Sequence, residues 1–139
     1  MEITREYAPR IEPVICIENK IKQVFLSILK NSADAMQRRL KSEENYQAKL
    51  QLKVYPSRDG VITEIRDNGI GISHKYQHRI FEPFFSTKSV GSGIGLSLST
   101  AYFIGSEQHR GKLWFESSPQ RGSTFFIELP RERKNHSQP

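Results

Sequence analysis

Three glycines set two apart, Gly91, Gly93 and Gly95 in "VGSGIGLSLST" (90–100), run straight into hydroxyl and apolar residues. Each loses conformational entropy when ordered, so something must compensate. A helix N-terminus offers free backbone N–H groups and partial positive charge. Glycines just before it let that backbone close on an anion such as phosphate. The spacing is not G-x-G-x-x-G, because the sixth position is Leu96, and no G-x-x-x-x-G-K-[ST] occurs. Taken alone, the run reads equally as a flexible loop.

Three more stretches carry chemistry. In "DNGIGI" (67–72) Asp67 ends a strand and enters a turn containing Gly69 and Gly71. An Asp-Asn-Gly turn accounts for part of this, but a turn does not need the second glycine, Ile70 or Ile72. A carboxylate held at a strand end can accept a hydrogen bond from an exocyclic amine. Asn31 lies inside an apolar-periodic helix, where Asn is a poor choice. It reads as a solvent-facing position or as a hard oxygen ligand for Mg²⁺, which takes few protein groups and several phosphate oxygens. "IFEPFFSTK" (80–88) sets Phe81, Phe84 and Phe85 around Pro83. It is a hydrophobic corner that would anchor a movable segment from Ser86 to Gly95.

The elements that must position these residues follow from patterning. "EITREY" and "PVICI" read as short strands separated by Pro9 and Pro13. Ile21, Val24, Phe25, Ile28, Ala35, Met36 and Leu40 recur at helical spacing, with Glu18 or Asn19 near the start. "KLQLKVYPS" and "VITEIRD" alternate on either side of the turn signal "DG" and predict an antiparallel hairpin. Residues 68–95 hold five of the nine glycines and no long periodic run, as functional loops do. A second helix is expected from about Ile94 to Ser106. "KLWFES" and "STFFIELP" then close the chain around "SPQRG", before the polar tail "RERKNHSQP". This order implies an α+β fold: a two-layer sandwich with helices on one face of a mixed, mainly antiparallel sheet.

The totals bound the rest. A chain of 139 residues suits one domain. Its net charge of +6 is spread without a dense block outside Arg131, Arg133 and Lys134, which argues against nucleic acid as a partner. The single cysteine, Cys16 in "VICI", excludes an internal disulfide and fits a reducing, cytoplasmic setting. No stretch approaches the ~18 apolar residues of a membrane span. No membrane contact is therefore expected of this domain, and any membrane anchor of a parent protein would lie outside this chain.

The four stretches, in this order, resemble the ATP-binding catalytic domain of sensor histidine kinases, within the wider group of gyrase, Hsp90 and the mismatch-repair ATPases (the Bergerat-type fold). "QVFLSILKNSADAM" resembles the asparagine box, "DNGIGI" and "GSGIGLSLS" the two glycine boxes, "IFEPFFSTK" the phenylalanine box and "GSTFFIELP" the closing strand. The resemblance spans roughly residues 2–130, leaving 131–139 as a polar basic tail. It implies that ATP and Mg²⁺ are bound. Asn31 would coordinate the Mg²⁺ that bridges the phosphates. Asp67 would receive the adenine amine, with Gly69 and Gly71 letting backbone approach the base. Residues 84–95 would form an ATP lid with Lys88 as a cation near the phosphates. Gly91, Gly93, Gly95 and Leu96 would cradle the phosphates. Two positions depart from the pattern: Ser27 where a second Asn is common, and Arg110 where "HRGKLWF" would usually read His-Gly-Gly.

Ser27 also bears on the reaction. Hydrolases of the wider group place a Glu one turn before the metal Asn, and serine is no general base. A kinase of this type needs no base in this domain, because the nucleophile is a histidine brought by a dimerisation/phosphoacceptor domain, with a response regulator downstream. His74, His78, His109 and His136 lack the acidic neighbour typical of that acceptor. The chain therefore reads as a catalytic domain from a longer kinase, expected to bind ATP and phosphorylate nothing by itself. The second reading is a catalytically silent, nucleotide-gated interaction module of the same fold, and the third an ATP-hydrolysing clamp.

Overall fold

The computed structural model describes residues 1–83 and 98–131. Five strands form one sheet: β1 (Glu2–Tyr7), β2 (Lys49–Pro56), β3 (Gly60–Asp67), β4 (Lys112–Ser118) and β5 (Gly122–Pro130), ordered β1-β2-β3-β5-β4. β1 runs parallel to β2, and the other three pairings are antiparallel. A parallel pair needs a long crossover, supplied here by helix α1 (Glu18–Ser42). The sheet is mixed and mainly antiparallel, with its buried face under the helices, as expected.

Alternation decides what faces the helices. Leu50 on β2, Val61 and Ile65 on β3, Leu113 on β4, and Phe125, Ile127 and Leu129 on β5 are buried. Register brings Ile65 opposite Phe125 and Leu113 opposite Ile127. From α1 come Ile21, Val24, Ile28 and Met36. On the other face Trp114 stacks on Phe126, with centroids 5.0 Å apart and planes 7° from parallel. There the Tyr55 hydroxyl is pushed up to about 12, first by burial and then by its bond to Glu64.

The β2–β3 hairpin closes where sequence placed it. The Ser57 N–H donates to the Gly60 carbonyl, and the Gly60 N–H donates to Ser57 Oγ. A Cβ on Gly60 would sit 1.9 Å from the Leu129 carbonyl oxygen, so only glycine fits between β3 and β5.

Three expectations change. "PVICI" forms no strand: Val14 makes a single antiparallel bridge to Arg131, and Pro13 beside it has no N–H to extend a ladder. Leu40 leaves the apolar stripe and is 55% exposed. Arg39, three residues after Met36, takes the inward position and bonds the Asn68 carbonyl. The second helix is described only from Leu98: α2 (Leu98–Tyr102) passes into a π-helical stretch, Phe103–Gln108. There Ser106 Oγ donates back to the Tyr102 carbonyl, and the His109 N–H reaches the Ile104 carbonyl. Arg131, the last described residue, is tied to the β2–β3 turn. Its guanidinium donates to the carbonyls of Ser57 and Arg58.

Candidate functional site

β3 points Val61, Thr63, Ile65 and then Asp67 toward the helices, because side chains alternate along a strand. The last of these inward positions is thus a carboxylate, only 2% exposed. Asp67 Oδ1 accepts the Gly69 N–H at 2.9 Å. Asp67 Oδ2 has no hydrogen-bond partner among the described residues. Burial pushes the carboxyl above its ordinary range, while the Gly69 N–H, the Ser32 hydroxyl and the Ser123 N–H temper the rise.

Ser32, on α1, is 0% exposed, and its hydroxyl also lacks a hydrogen-bond partner among the described residues. It lies close enough to the Asp67 carboxyl to draw its pKa down. Two buried polar atoms therefore face one another unsatisfied. Each such atom costs about 1–3 kcal/mol, and native folds keep few of them. A ligand bearing an N–H donor would satisfy Oδ2.

The loop after Asp67 is clamped from both sides. The Ile70 N–H donates to the Ala35 carbonyl of α1 at 3.2 Å. A Cβ on Gly69 would lie 2.7 Å from the Ala35 Cβ and 2.8 Å from the Met36 nitrogen. Gly71 has φ +73°, and a Cβ there would meet the Ser118 carbonyl oxygen at 2.1 Å. Both glycines are required by contact with α1 and the β4–β5 turn.

Sequence reasoning missed the residues that secure this loop. Asn68 Oδ1 accepts the Tyr46 hydroxyl at 2.7 Å and the Lys49 N–H at 2.8 Å, and Asn68 Nδ2 donates to the Gln47 carbonyl. Arg39 donates to the Asn68 carbonyl at 2.9 Å, pairs with Glu43 at 2.5 Å and lies over the Tyr46 ring. Apart from the i,i+4 pair Arg39–Glu43, their partners are distant in sequence, so no local spacing signals them. Ser32 and Asp67 left one clue each: a hydroxyl inside the apolar helix, and an acid on the inward parity of β3.

Asn31 is half-buried on α1, directly before Ser32 and one turn after Ser27. Ser27 is buried, and its hydroxyl is likewise unpartnered among the described residues. Ser27 and Asn31, four apart, share a helix face. Among the described residues no three His, Cys, Asp or Glu side chains converge on a metal-sized site. A Mg²⁺ ion arriving with a polyphosphate needs only one or two protein oxygens, which the Asn31 carboxamide can supply. Phe81 is anchored as expected, its ring 4.9 Å from Tyr102 and 5.8 Å from Phe115. Phe84, Phe85, Lys88, Gly91, Gly93, Gly95 and Leu96 lie outside the described residues.

His109 is engaged at both ring nitrogens: Nε2 accepts the Ile17 N–H and Nδ1 donates to the Ile104 carbonyl, each at 2.9 Å. It joins the start of α1 to the π-helical stretch and is not a free nucleophile. A separate apolar cavity of about 560 Å³, lined by Tyr7, Phe25, Leu29, Leu52 and Val54 among others, offers almost no polar group to a nucleotide.

Residues 16–133 match the family described as "Histidine kinase-, DNA gyrase B-, and HSP90-like ATPase". The chain belongs to this ATPase family. Among the family's curated members, it is 34% identical over 130 residues to sporulation kinase E of Bacillus subtilis, covering 90% of this chain and 16% of that protein. It is 34% identical over 130 residues to the signal transduction histidine-protein kinase AtoS of Escherichia coli, covering 94% of this chain and 20% of that protein. The catalytic domain of histidine kinase ThkA, in a nucleotide-free form, superposes with a TM-score of 0.75 at 26% identity, over 94% of this chain and 80% of that one. The fold and the match place this ATPase-family chain with the ATP-binding catalytic domains of sensor histidine kinases. It spans about a fifth or less of the length of the two curated relatives named. None of its described helices is long and apolar enough to cross a membrane.

Proposed function

We propose that this chain binds Mg-ATP and supplies the γ-phosphoryl group to a histidine on a separate dimerisation/phosphoacceptor domain, with a response regulator as the next acceptor. In the transfer, the bond from the γ-phosphorus to the β–γ bridging oxygen breaks. A phosphorus–nitrogen bond forms, and ADP departs. The observation that carries the reading is Asp67, a buried carboxylate at a strand end with Oδ2 open to a donor. In this reading Oδ2 accepts the adenine amine, the clamped Gly69–Gly71 loop holds the carboxylate still, and Asn31 ligates Mg²⁺. Lys88, Gly91, Gly93, Gly95 and Leu96 serve the phosphates from a lid over residues 84–95.

Such chemistry is mostly positioning and charge neutralisation, so the lack of a base at Ser27 fits transfer to a histidine better than hydrolysis. Residues 1–130 act as the catalytic unit in this reading, with residues 131–139 as a polar basic tail.

The test has two stages. Calorimetric titration of a non-hydrolysable ATP analogue should show binding strengthened by Mg²⁺ and weakened at least about tenfold in Asp67→Asn, the loss of a charged hydrogen bond. An added acceptor-histidine domain should then take up label from γ-labelled ATP, while the chain alone should not label itself. Binding without transfer to any acceptor would replace this reading with the silent, nucleotide-gated module.

A further inference from the structure

The polar groups around Asp67 are nearly all committed. The Gly69 N–H is on Oδ1. The Ser123 hydroxyl lies 2.8 Å from Ser117 Oγ, and Ser117 Oγ also receives the Ile72 N–H. The Tyr46 hydroxyl is on Asn68. One side chain beside the carboxyl remains unspent: the hydroxyl of Ser32, fully buried and without a hydrogen-bond partner among the described residues. Its position is not adjustable. The Ile70 N–H bond to Ala35 and the glycine contact at Ala35 and Met36 lock the Asp67 loop onto the turn of α1 that follows Ser32.

An acceptor next to a hydroxyl donor complements one pattern on a purine: an exocyclic amine with a bare ring nitrogen at its side. A 6-aminopurine has that pattern twice, through N1 and through N7. A 6-oxopurine presents an acceptor where the amine would be, and so meets the Asp67 acceptor with another acceptor.

We infer that Ser32 is a base-specificity residue, its hydroxyl donating to the ring nitrogen beside the amine that Asp67 Oδ2 receives. This rests on the nucleotide-binding reading and goes beyond it, because it names a second protein group that reads the base. Serine donates only one proton, so it serves N1 or N7 and not both.

The test is a binding cycle on the 139-residue chain. The dissociation constants of ATP, 1-deaza-ATP and 7-deaza-ATP are measured for the native chain and for Ser32→Ala. One deaza analogue should bind the native chain roughly tenfold more weakly than ATP, as for one lost hydrogen bond. Ser32→Ala should weaken ATP by a similar factor and abolish the gap between ATP and that analogue. Should Ser32 merely hold Asp67 in place, all three ligands would weaken together and the gap would persist, which overturns the inference. Unchanged binding in Ser32→Ala overturns it equally. Absence of ATP binding by the native chain would instead overturn the nucleotide reading itself. A thermal melt without ligand checks that Ser32→Ala is folded. Ser32→Cys, similar in volume and a weak donor, should reproduce the closed gap.

Discussion

Asp67 sets binding against stability in a single side chain. Its carboxyl is raised from the ordinary 3.8, chiefly by burial, so the folded chain prefers the neutral form relative to the unfolded one. A raised folded value contributes stability that is complete below the unfolded pKa and is lost as pH rises through the folded pKa. Asp67→Asn removes the ionisation. The variant should therefore melt above the native chain at pH 7, with the difference shrinking toward pH 4, while nucleotide binding weakens. Thermal melts at the two pH values, without ligand, check this. An Asn variant that melts lower at pH 7 would show that the charge is satisfied in the fold. Arg110 is the other residue-scale case. It holds φ +54°, in the left-handed region that favours glycine, and a non-glycine residue there costs roughly 1–2 kcal/mol. Arg110→Gly should raise stability by about 1 kcal/mol in denaturant melts, leaving ATP affinity unchanged.

Between elements, the site depends on one seam, where the loop after β3 meets α1. The seam is closed by the Ile70–Ala35 hydrogen bond and by the missing Cβ of Gly69. Gly69→Ala would drive a methyl group into helix backbone at 2.8 Å. The loop or the helix must shift, at a cost of about 1–3 kcal/mol for an overpacked site. Stability and ATP affinity should fall together, in contrast to Asp67→Asn, where they move in opposite directions. Denaturant melts beside calorimetry on both variants separate a carboxylate that is lost from one that is displaced. Arg39 supports the same seam from the end of α1, spanning Glu43, Tyr46 and the Asn68 carbonyl.

Across the whole molecule, stability is unevenly distributed. β3 and β5 lie inside the sheet and hold Ile65, Phe125 and Ile127, all nearly inaccessible. β1 is an edge strand, exposed along its whole length and paired only to β2. Local opening follows such differences. Amide exchange should release Ile3 to Tyr7 well before Ile65 or Phe125. Equal protection would mean that β1 opens only with the global unfolding of the sheet. The site is built from the protected end of this gradient: Asp67 on β3 and Ser32 on the helix packed over it.

Much of this was legible in the residues alone. Period-two alternation in "KLQLKVYPS", "VITEIRD" and "STFFIELP" marked three strands, and helical spacing from Ile21 to Met36 marked α1, because these patterns arise from local geometry that burial must respect. The four boxes, in order, pointed to the ATPase family. The strand expected at "PVICI" and the inward place expected for Leu40 fail for a common reason: whether a position pairs or packs depends on which distant segment meets it. The same holds for the site. Sequence marked Asp67 and Asn31 as chemically capable, and the parity of β3 hinted that Asp67 points inward, but nothing local showed that Gly69 packs on Ala35 or that Ser32 lies beside the carboxylate. Those are relations between β3 and a helix some thirty residues earlier, and only tertiary packing brings the two together.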